Sequence, residues 1–285
     1  MRILIFGRVG QLGSALAELL SAGHQLKFLD QPEIDLAQTN SISRHISRSG
    51  ADLVINAAAY TAVDKAQSES ELAQRINADA PAAMAKACHT LGVPFIHFST
   101  DYVFDGEAQE PYHEESRVAP RSVYGETKLA GERAVALETS RHVILRTAWL
   151  YSHVGHNFLK TMLRLAGEAK PLRVVSDQFG SPTFAWDLGA ATARVVDAVA
   201  DGRDDIYGVF HATNSGQTSW FEFARAIFET ANLESVDISP ITTAEYPTPA
   251  PRPAYSVLSC ERLALVFGIR MPSWQDGLAR CVARL

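Results

Sequence analysis

The glycine-rich turn after the first apolar segment restricts the fold of this chain more than any other feature. Arg2 to Phe6 has the continuous apolar character of a buried strand, and the amphipathic stretch Ser14 to Ala22 predicts a helix. Gly7 permits a tight turn, Gly10 lets the backbone approach a pyrophosphate, and Gly13 lets helix and strand pack closely. The residues predicted to contact a dinucleotide here are Gly7, Gly10, Gln11, Leu12 and Gly13. A purely structural glycine turn is the alternative.

The second apolar stretch ends in a carboxylate that bears on the choice of dinucleotide. Gln25 to Leu29 predicts a strand, and Asp30 follows it where an acid can accept hydrogen bonds from an adenosine ribose. Because this carboxylate repels a 2′-phosphate, NADH is favoured over NADPH, although Arg8 could pair with that phosphate. Asp35 and Leu36 are predicted to meet the adenine edge, and a helix cap is the alternative for Asp35.

Two later strands bring small and polar side chains to one edge of the predicted sheet. Asp52 to Tyr60 ends in small residues, and the strand that begins at Pro94 delivers two hydroxyls and a carboxylate at its end. In a doubly wound sheet, ligands bind beyond the carboxyl ends of the strands. The residues of the earlier strand expected to line the cofactor channel are Ala58, Ala59 and Tyr60.

The alternation of strands and helices predicts an α/β protein with a doubly wound, Rossmann-type parallel sheet and a smaller, interleaved C-terminal substrate lobe. Residues 1–150 are assigned to the dinucleotide-binding domain, and residues 151–285 mainly to the lobe. Gly208 to Thr213 is apolar enough for a strand that returns to the first domain.

Composition and charge exclude several classes of function. A net charge of −6 without a basic run argues against nucleic acid as a partner. The longest apolar runs have the length of strands and the N-terminus lacks a signal-peptide pattern, so we expect no membrane partner and a cytoplasmic location. Cys88, Cys260 and Cys281 are widely spaced, which predicts free thiols. His153 and His156 have a spacing seen in metal sites, but no acidic residue or cysteine lies nearby, so no metal is predicted.

Tyr124 and Lys128 stand four residues apart at the start of a predicted helix and therefore on one face of it. A phenol normally titrates near about 10, and a nearby cation lowers its pKa, so Lys128 is expected to make Tyr124 a proton donor near neutral pH. Thr100 is predicted to hydrogen-bond the same substrate oxygen, and Asp101 to bind a sugar hydroxyl. The pair alone is a weak signal, because Tyr and Lys share many solvated helix faces.

Several motifs together resemble the extended short-chain dehydrogenase/reductase superfamily. They are the glycine turn, the strand end Asn56–Ala59, the run Ser99–Phe104 and the pair Tyr124-Gly-x-x-Lys128. Within this superfamily the chain resembles the family of dTDP-4-dehydrorhamnose reductases. The runs that carry this closer resemblance span nearly the whole chain: Asn56–Ala66, Ser99–Gly106, Arg146–Tyr151, Asp177–Thr183 and Tyr246–Pro253.

The resemblance implies a reaction and a set of site residues. NADH or NADPH would reduce the 4-keto group of dTDP-4-dehydro-L-rhamnose, and the product would be dTDP-L-rhamnose, a dTDP-sugar precursor of cell-surface polysaccharide. Thr100, Tyr124 and Lys128 would form the catalytic set, with Tyr124 and Lys128 also holding the nicotinamide. Asp101 and Trp149 would contact the sugar, although Trp149 by itself suits a core equally well. Arg252, in a proline-rich loop, would clamp the diphosphate or form a surface salt bridge.

Three alternatives stay open at this stage. Another 4-keto-sugar reductase or an epimerase would use the same tyrosine chemistry. A non-catalytic regulatory subunit of this fold is a further alternative, against which the intact Tyr124 and Lys128 pair argues. The resemblance is compatible with a homodimer, but Ala15 stands where metal-bridged relatives would carry an acid, so we do not expect that bridge.

Overall fold

Strands and helices alternate along the chain in the computed structural model, which describes residues 1–168, 170–233 and 235–285. The strands are short: β1 (Arg2–Phe6), β2 (Gln25–Leu29), β3 (Leu53–Asn56), β4 (Phe95–Thr100), β5 (His142–Thr147), β6 (Leu150–Tyr151), β7 (Leu172–Val175), β8 (Phe179–Gly180), β9 (Thr183–Phe184), β10 (Gly208–His211), β11 (Thr218–Ser219) and β12 (Ile238–Ile241). The helices are α1 (Gln11–Leu20), α2 (Ile42–Ser49), α3 (Val63–Ala66), α4 (Ser70–Gln74), α5 (Ala80–Leu91), α6 (Val123–Glu138), α7 (Phe158–Ala166), α8 (Ala185–Ala200), α9 (Trp220–Thr230), α10 (Glu261–Phe267) and α11 (Trp274–Val282).

The main sheet is parallel and has the strand order β10-β5-β4-β3-β1-β2. The chain runs outward from β1 to β2 and then returns to the other side of β1 with β3. The direction of winding therefore reverses between β1 and β3, and such a reversal opens a crevice at the carboxyl ends of the strands. At the far edge, β10 pairs with β5, so a segment from the second half of the chain completes the sheet.

Helices cover both faces of this sheet, which confirms the doubly wound prediction. One face packs against α1, α8 and α10 through Leu16, Leu188 and Leu263, while the other packs against α2 and α5 through Ile46 and Met84. All residues of β3 and β4 are buried, as expected for parallel strands covered on both sides. Within the described residues, no helix is long and apolar enough to cross a bilayer.

The rest of the C-terminal half builds a second, smaller core beside the sheet. Three short strand pairs, β6 with β9, β7 with β12 and β8 with β11, frame it together with α7, α9 and α11. Its centre is aromatic, where the ring of Tyr151 contacts Phe184 and Phe223, and Phe223 meets Trp274 edge-on. Because α8 and β10 of this half pack into the first domain, the two parts of the chain are interleaved.

Candidate active site

A cavity of about 680 Å³ opens at the carboxyl ends of the central strands, at the point where the winding reverses. It brings together residues that are distant in the sequence. The predicted site residues that line it are Gly7, Gly10, Gln11, Leu12, Ala58, Ala59, Thr100, Asp101, Tyr124, Lys128 and Trp149. The cavity therefore joins the predicted cofactor turn to the predicted catalytic pair.

Close backbone packing explains the two outer glycines of the turn. Gly7 has a φ of +91°, and a Cβ there would lie 2.9 Å from the amide nitrogen of Ala58. A Cβ at Gly13 would lie 1.8 Å from the carbonyl oxygen of Gly7, so α1 could not pack on the end of β1. Gly10 differs, because among the described residues a Cβ there meets no atom within 4 Å, and the residue is the N-cap of α1 beside the cavity.

Asp30 ties the glycine turn to the end of β2. Its Oδ2 accepts hydrogen bonds from the backbone N–H groups of Arg8 at 2.9 Å and Val9 at 3.2 Å, and its Oδ1 accepts one from Gln31 at 3.0 Å. The Arg8 guanidinium lies over the ring of Phe28, with its Cζ 5.5 Å from the ring centroid. The predicted ribose acceptor therefore also shapes the turn that would hold the diphosphate.

Besides Gly13 and Asp30, four predicted ligand contacts lie outside the lining of the cavity. Asp35 accepts hydrogen bonds from Ala37 N and from the side chain of Gln38, a local turn, while Leu36 packs against the core beneath β2. The Tyr60 hydroxyl donates to Glu69 at 2.5 Å. The fourth is Arg252, described below with its ion pair.

Helix α6 is placed so that Tyr124 and Lys128 face the cavity. Ser122 caps the helix, its hydroxyl accepting a hydrogen bond from Gly125 N at 3.2 Å. A Cβ at Gly125 would lie 2.2 Å from the carbonyl oxygen of Tyr102, so glycine lets the first turn approach the end of β4. The Tyr102 ring meets the Tyr124 ring edge-on, with centroids 5.4 Å apart. The first turn of α6 is thereby fixed against β4.

Burial, rather than the lysine, dominates the ionisation of Tyr124. Burial raises the pKa of Tyr124 to about 12, with hydrogen bonding to Thr100 acting in the opposite direction. Lys128, which was expected to lower this pKa, is not among the causes of the shift, and its ammonium donates to the carbonyl oxygen of Phe98 at 2.6 Å. Burial also lowers the pKa of Lys128 to about 8. Tyr124 therefore holds its proton throughout the neutral range.

Thr100 and Asp101 form a hydrogen-bonded pair beside Tyr124. The Thr100 hydroxyl donates to Asp101 Oδ1 at 2.9 Å and accepts from Tyr102 N at 3.2 Å. Asp101 is 2% exposed, and burial raises the pKa of its carboxyl to about 6. Its other oxygen, Oδ2, has no hydrogen-bond partner among the described residues.

Trp149 forms one wall of the cavity and is held there by tight packing. Its indole stacks on Trp220 with 3.5 Å between centroids and 4° between planes. A Cβ at Gly180 would lie 2.4 Å from a carbon of the Trp149 ring. Trp149 also has a left-handed backbone, with a φ of 48°. It is thus packed against Trp220 and also lines the cavity.

Arg252 binds an acidic side chain at the edge of this region. Its Nη2 lies 2.7 Å from Asp64 Oδ2, and its Nη1 donates to the Ala250 carbonyl at 3.2 Å. Asp64 also accepts a hydrogen bond from Ala250 N at 3.1 Å. The ion pair therefore fastens the proline-rich loop to α3, as in the salt-bridge alternative.

Some site residues were missed by the sequence reasoning. Ser99 and Thr147, at the ends of β4 and β5, line the cavity with hydroxyls that have no partner among the described residues. Their position at strand ends was a signal that could have identified them. Asn77 accepts from Tyr60 N at 2.9 Å and donates to Thr127 at 3.2 Å, which ties the end of β3 to α6. His156, considered only as a metal ligand, also lines the cavity.

Comparisons with known proteins agree with this geometry. The family model described as the RmlD substrate binding domain matches residues 1–285. A dTDP-4-dehydrorhamnose reductase of Sinorhizobium fredii is 43% identical over 286 residues, which cover 99% of this chain and 97% of that protein. A crystal structure of a dTDP-4-dehydrorhamnose reductase from Clostridium acetobutylicum has a TM-score of 0.94 at 39% identity and covers 100% of this chain and 99% of its own. A Bacillus anthracis reductase of the same name, solved in complex with NADP, has a TM-score of 0.94 at 37% identity, with the same coverage.

Proposed function

This chain belongs to the family of the RmlD substrate binding domain and of the dTDP-4-dehydrorhamnose reductases, and we propose from that premise that it reduces dTDP-4-dehydro-L-rhamnose to dTDP-L-rhamnose. The observation that carries the proposal is the convergence of Thr100, Tyr124 and Lys128 with the glycine turn in one cavity. A proton donor and a dinucleotide turn at one site suit carbonyl reduction.

The cavity fits a dinucleotide. Among the described residues, no side chain caps the N-terminus of α1, so the N–H groups of its first turn are free to meet a phosphate. The unpartnered hydroxyls of Ser99 and Thr147 offer hydrogen bonds deeper in the cavity. The residues proposed to hold the dinucleotide are Gly7, Gly10, Gln11, Leu12, Ala58, Ala59, Tyr124 and Lys128. A reduced nicotinamide bound there supplies the hydride.

Side chains of this chain would handle the proton and the developing negative charge. Tyr124, protonated in the neutral range, would donate its proton to the substrate oxygen as the carbonyl is reduced. Thr100 lies beside it and would orient the same oxygen, which stabilises charge in the transition state. The buried ammonium of Lys128 adds a positive charge on the same helix face, which favours the phenolate that forms on Tyr124.

Substrate residues follow from the walls of the cavity. We propose that Asp101 accepts a hydrogen bond from a sugar hydroxyl and that Trp149 packs on the sugar ring. The domain assignment, with residues 151–285 mainly forming the substrate lobe, is part of the same proposal. So is a cytoplasmic location, which the free thiols of Cys88, Cys260 and Cys281 support.

Cofactor consumption tests the proposal and separates a reductase from an epimerase. A reductase releases its oxidised cofactor, whereas an epimerase regenerates its nicotinamide within each turnover. With dTDP-4-dehydro-L-rhamnose, the purified protein is expected to consume about one NADH per sugar and to convert none without added cofactor. Absorbance of reduced nicotinamide, with product analysis by chromatography, measures both. Conversion of the sugar at constant NADH would contradict the reductase assignment and support an epimerase instead.

A further prediction concerns Asp30 and the choice between NADH and NADPH. Asp30→Asn removes the negative charge but keeps an oxygen that can accept the hydrogen bonds of Arg8 and Val9. We expect kcat/KM for NADPH, relative to NADH, to rise about tenfold, because repulsion of the 2′-phosphate is removed. Glu33→Gln, which removes an exposed charge nearby, serves as the control. An unchanged ratio in Asp30→Asn would leave Asp30 with only its role in the turn.

A further inference from the structure

Glu132 lies one helical turn beyond Lys128 on α6 and is as deeply buried as the lysine. Only 4% of Glu132 and 2% of Lys128 is exposed. Residues at i and i+4 share a helix face, so both side chains lie on the same side of α6. Glu132 does not line the cavity, and a buried carboxylate is costly unless it is paired and hydrogen-bonded. Its partners therefore indicate what it does.

Arg146 of β5 holds Glu132 in a fixed orientation. The Nε of Arg146 lies 2.9 Å from Oε1 of Glu132, and its Nη2 lies 2.7 Å from Oε2. The two residues therefore form a bidentate ion pair in which both side chains are 5% exposed. The guanidinium is itself confined by the ring of Phe104 at 5.2 Å and by His211 Nε2 at 3.5 Å. A guanidinium stays charged in any enzyme assay, so Glu132 always has a cationic partner.

Lys128 depends on this carboxylate because burial works against its charge. Burial lowers the pKa of Lys128 to about 8, and the negative charge of Glu132 acts in the opposite direction. Without Glu132, the lysine and Arg146 would be two buried cations with no carboxylate between them. The other titratable side chains on α6 and on the elements packed against it include Tyr124, Glu126, Arg133 and Glu138 on α6, His97 on β4, Asp101 after β4, His142 on β5, and Lys86, Cys88 and His89 on α5.

We propose that Glu132 is a positioning residue of the active site, whose carboxylate, fixed by Arg146, keeps the buried ammonium of Lys128 charged. The inference rests on the proposed function, because it concerns the lysine of that reaction. It explains why a buried ion pair stands directly behind the catalytic face of α6, where two apolar side chains would fill the same space at lower electrostatic cost.

The test is the pH dependence of the reaction in a Glu132→Gln variant, which keeps the size of the side chain and removes its charge. The parent is expected to lose kcat/KM as the pH rises past about 8, because Lys128 loses its proton. In the variant this alkaline limb is expected about one unit lower, because the removed charge had favoured the ammonium. Glu126→Gln removes an exposed carboxylate from the same helix and is expected to keep the profile of the parent.

A second variant keeps the inference testable if Glu132→Gln does not fold. The double variant Glu132→Leu/Arg146→Met removes both buried charges, and its alkaline limb is expected to shift in the same direction. A merely structural role would lower the melting temperature or reduce kcat at every pH without moving the limb. Profiles that superimpose on that of the parent in the folded variants would overturn the inference. If the parent itself fails to reduce the dTDP-sugar, the proposed function fails before any variant is compared.

Discussion

Replacement of Tyr124 by Phe is expected to lower kcat by roughly 10²–10⁴ while the affinity for NADH stays near that of the parent. The variant loses only the hydroxyl that donates the proton, and the ring keeps its edge-on contact with Tyr102. Steady-state kinetics give kcat, and the fluorescence of bound NADH gives the dissociation constant. These two measurements separate the loss of proton transfer from the loss of cofactor binding.

Tyr207→Phe is a matched control for this experiment. Its hydroxyl accepts a hydrogen bond from Arg141 at 3.2 Å, away from the cavity, so its kcat is expected to equal that of the parent. Turnover of Tyr124→Phe within a few-fold of the parent would show that another group donates the proton.

Removal of Arg146 is expected to have the largest effect on stability. Arg146→Met leaves the carboxylate of Glu132 buried without its cation, and breaking a buried ion pair in this way typically costs about 3–5 kcal/mol. Urea denaturation followed by circular dichroism measures the free energy of unfolding. The double variant Glu132→Leu/Arg146→Met is expected to recover much of the loss, because neither member of this ion pair stays buried without its partner.

Arg284→Met gives the comparison for an exposed pair. Arg284 lies 3.1 Å from Glu18 with the two side chains 41% and 50% exposed, so its loss is expected to cost below about 1 kcal/mol. A loss of similar size in both single variants would mean that burial does not determine the strength of the Arg146 pair.

Local rules explain why much of the fold was predictable from the sequence. The periodicity of apolar residues identified strands and helices, and β2 was predicted with its observed bounds, Gln25–Leu29. Gly7 and Gly13 were assigned their packing roles from spacing alone, and the distances of the added Cβ atoms agree with those roles. Tyr124 and Lys128 were placed on one helix face by the period of the helix.

Contacts between residues far apart in the chain were harder to predict from the sequence. Arg252 pairs with Asp64 and Trp149 stacks on Trp220, and neither pair lies in one local pattern. Asp30 was identified as a ribose acceptor, but its hydrogen bonds to Arg8 and Val9 depend on how the turn folds back over β2. Asp35 follows β2 and Tyr60 follows β3 in the sequence, and both were predicted to contact the cofactor. Their side chains instead form hydrogen bonds with residues nearby in the chain, Asp35 with Ala37 N and Tyr60 with Glu69.

The sequence by itself determined which elements form, the parallel sheet they build and the placement of the proposed catalytic pair on one face of α6, because these follow from side-chain periodicity and short-range spacing. Only the tertiary structure decided the electrostatics of that pair. Burial of Tyr124 raises its pKa, although a neighbouring lysine alone would lower it, and the carboxylate that supports Lys128 is fixed by an arginine from another strand. Desolvation and ion pairing depend on what surrounds a group in space, and that surrounding comes from segments far apart along the chain.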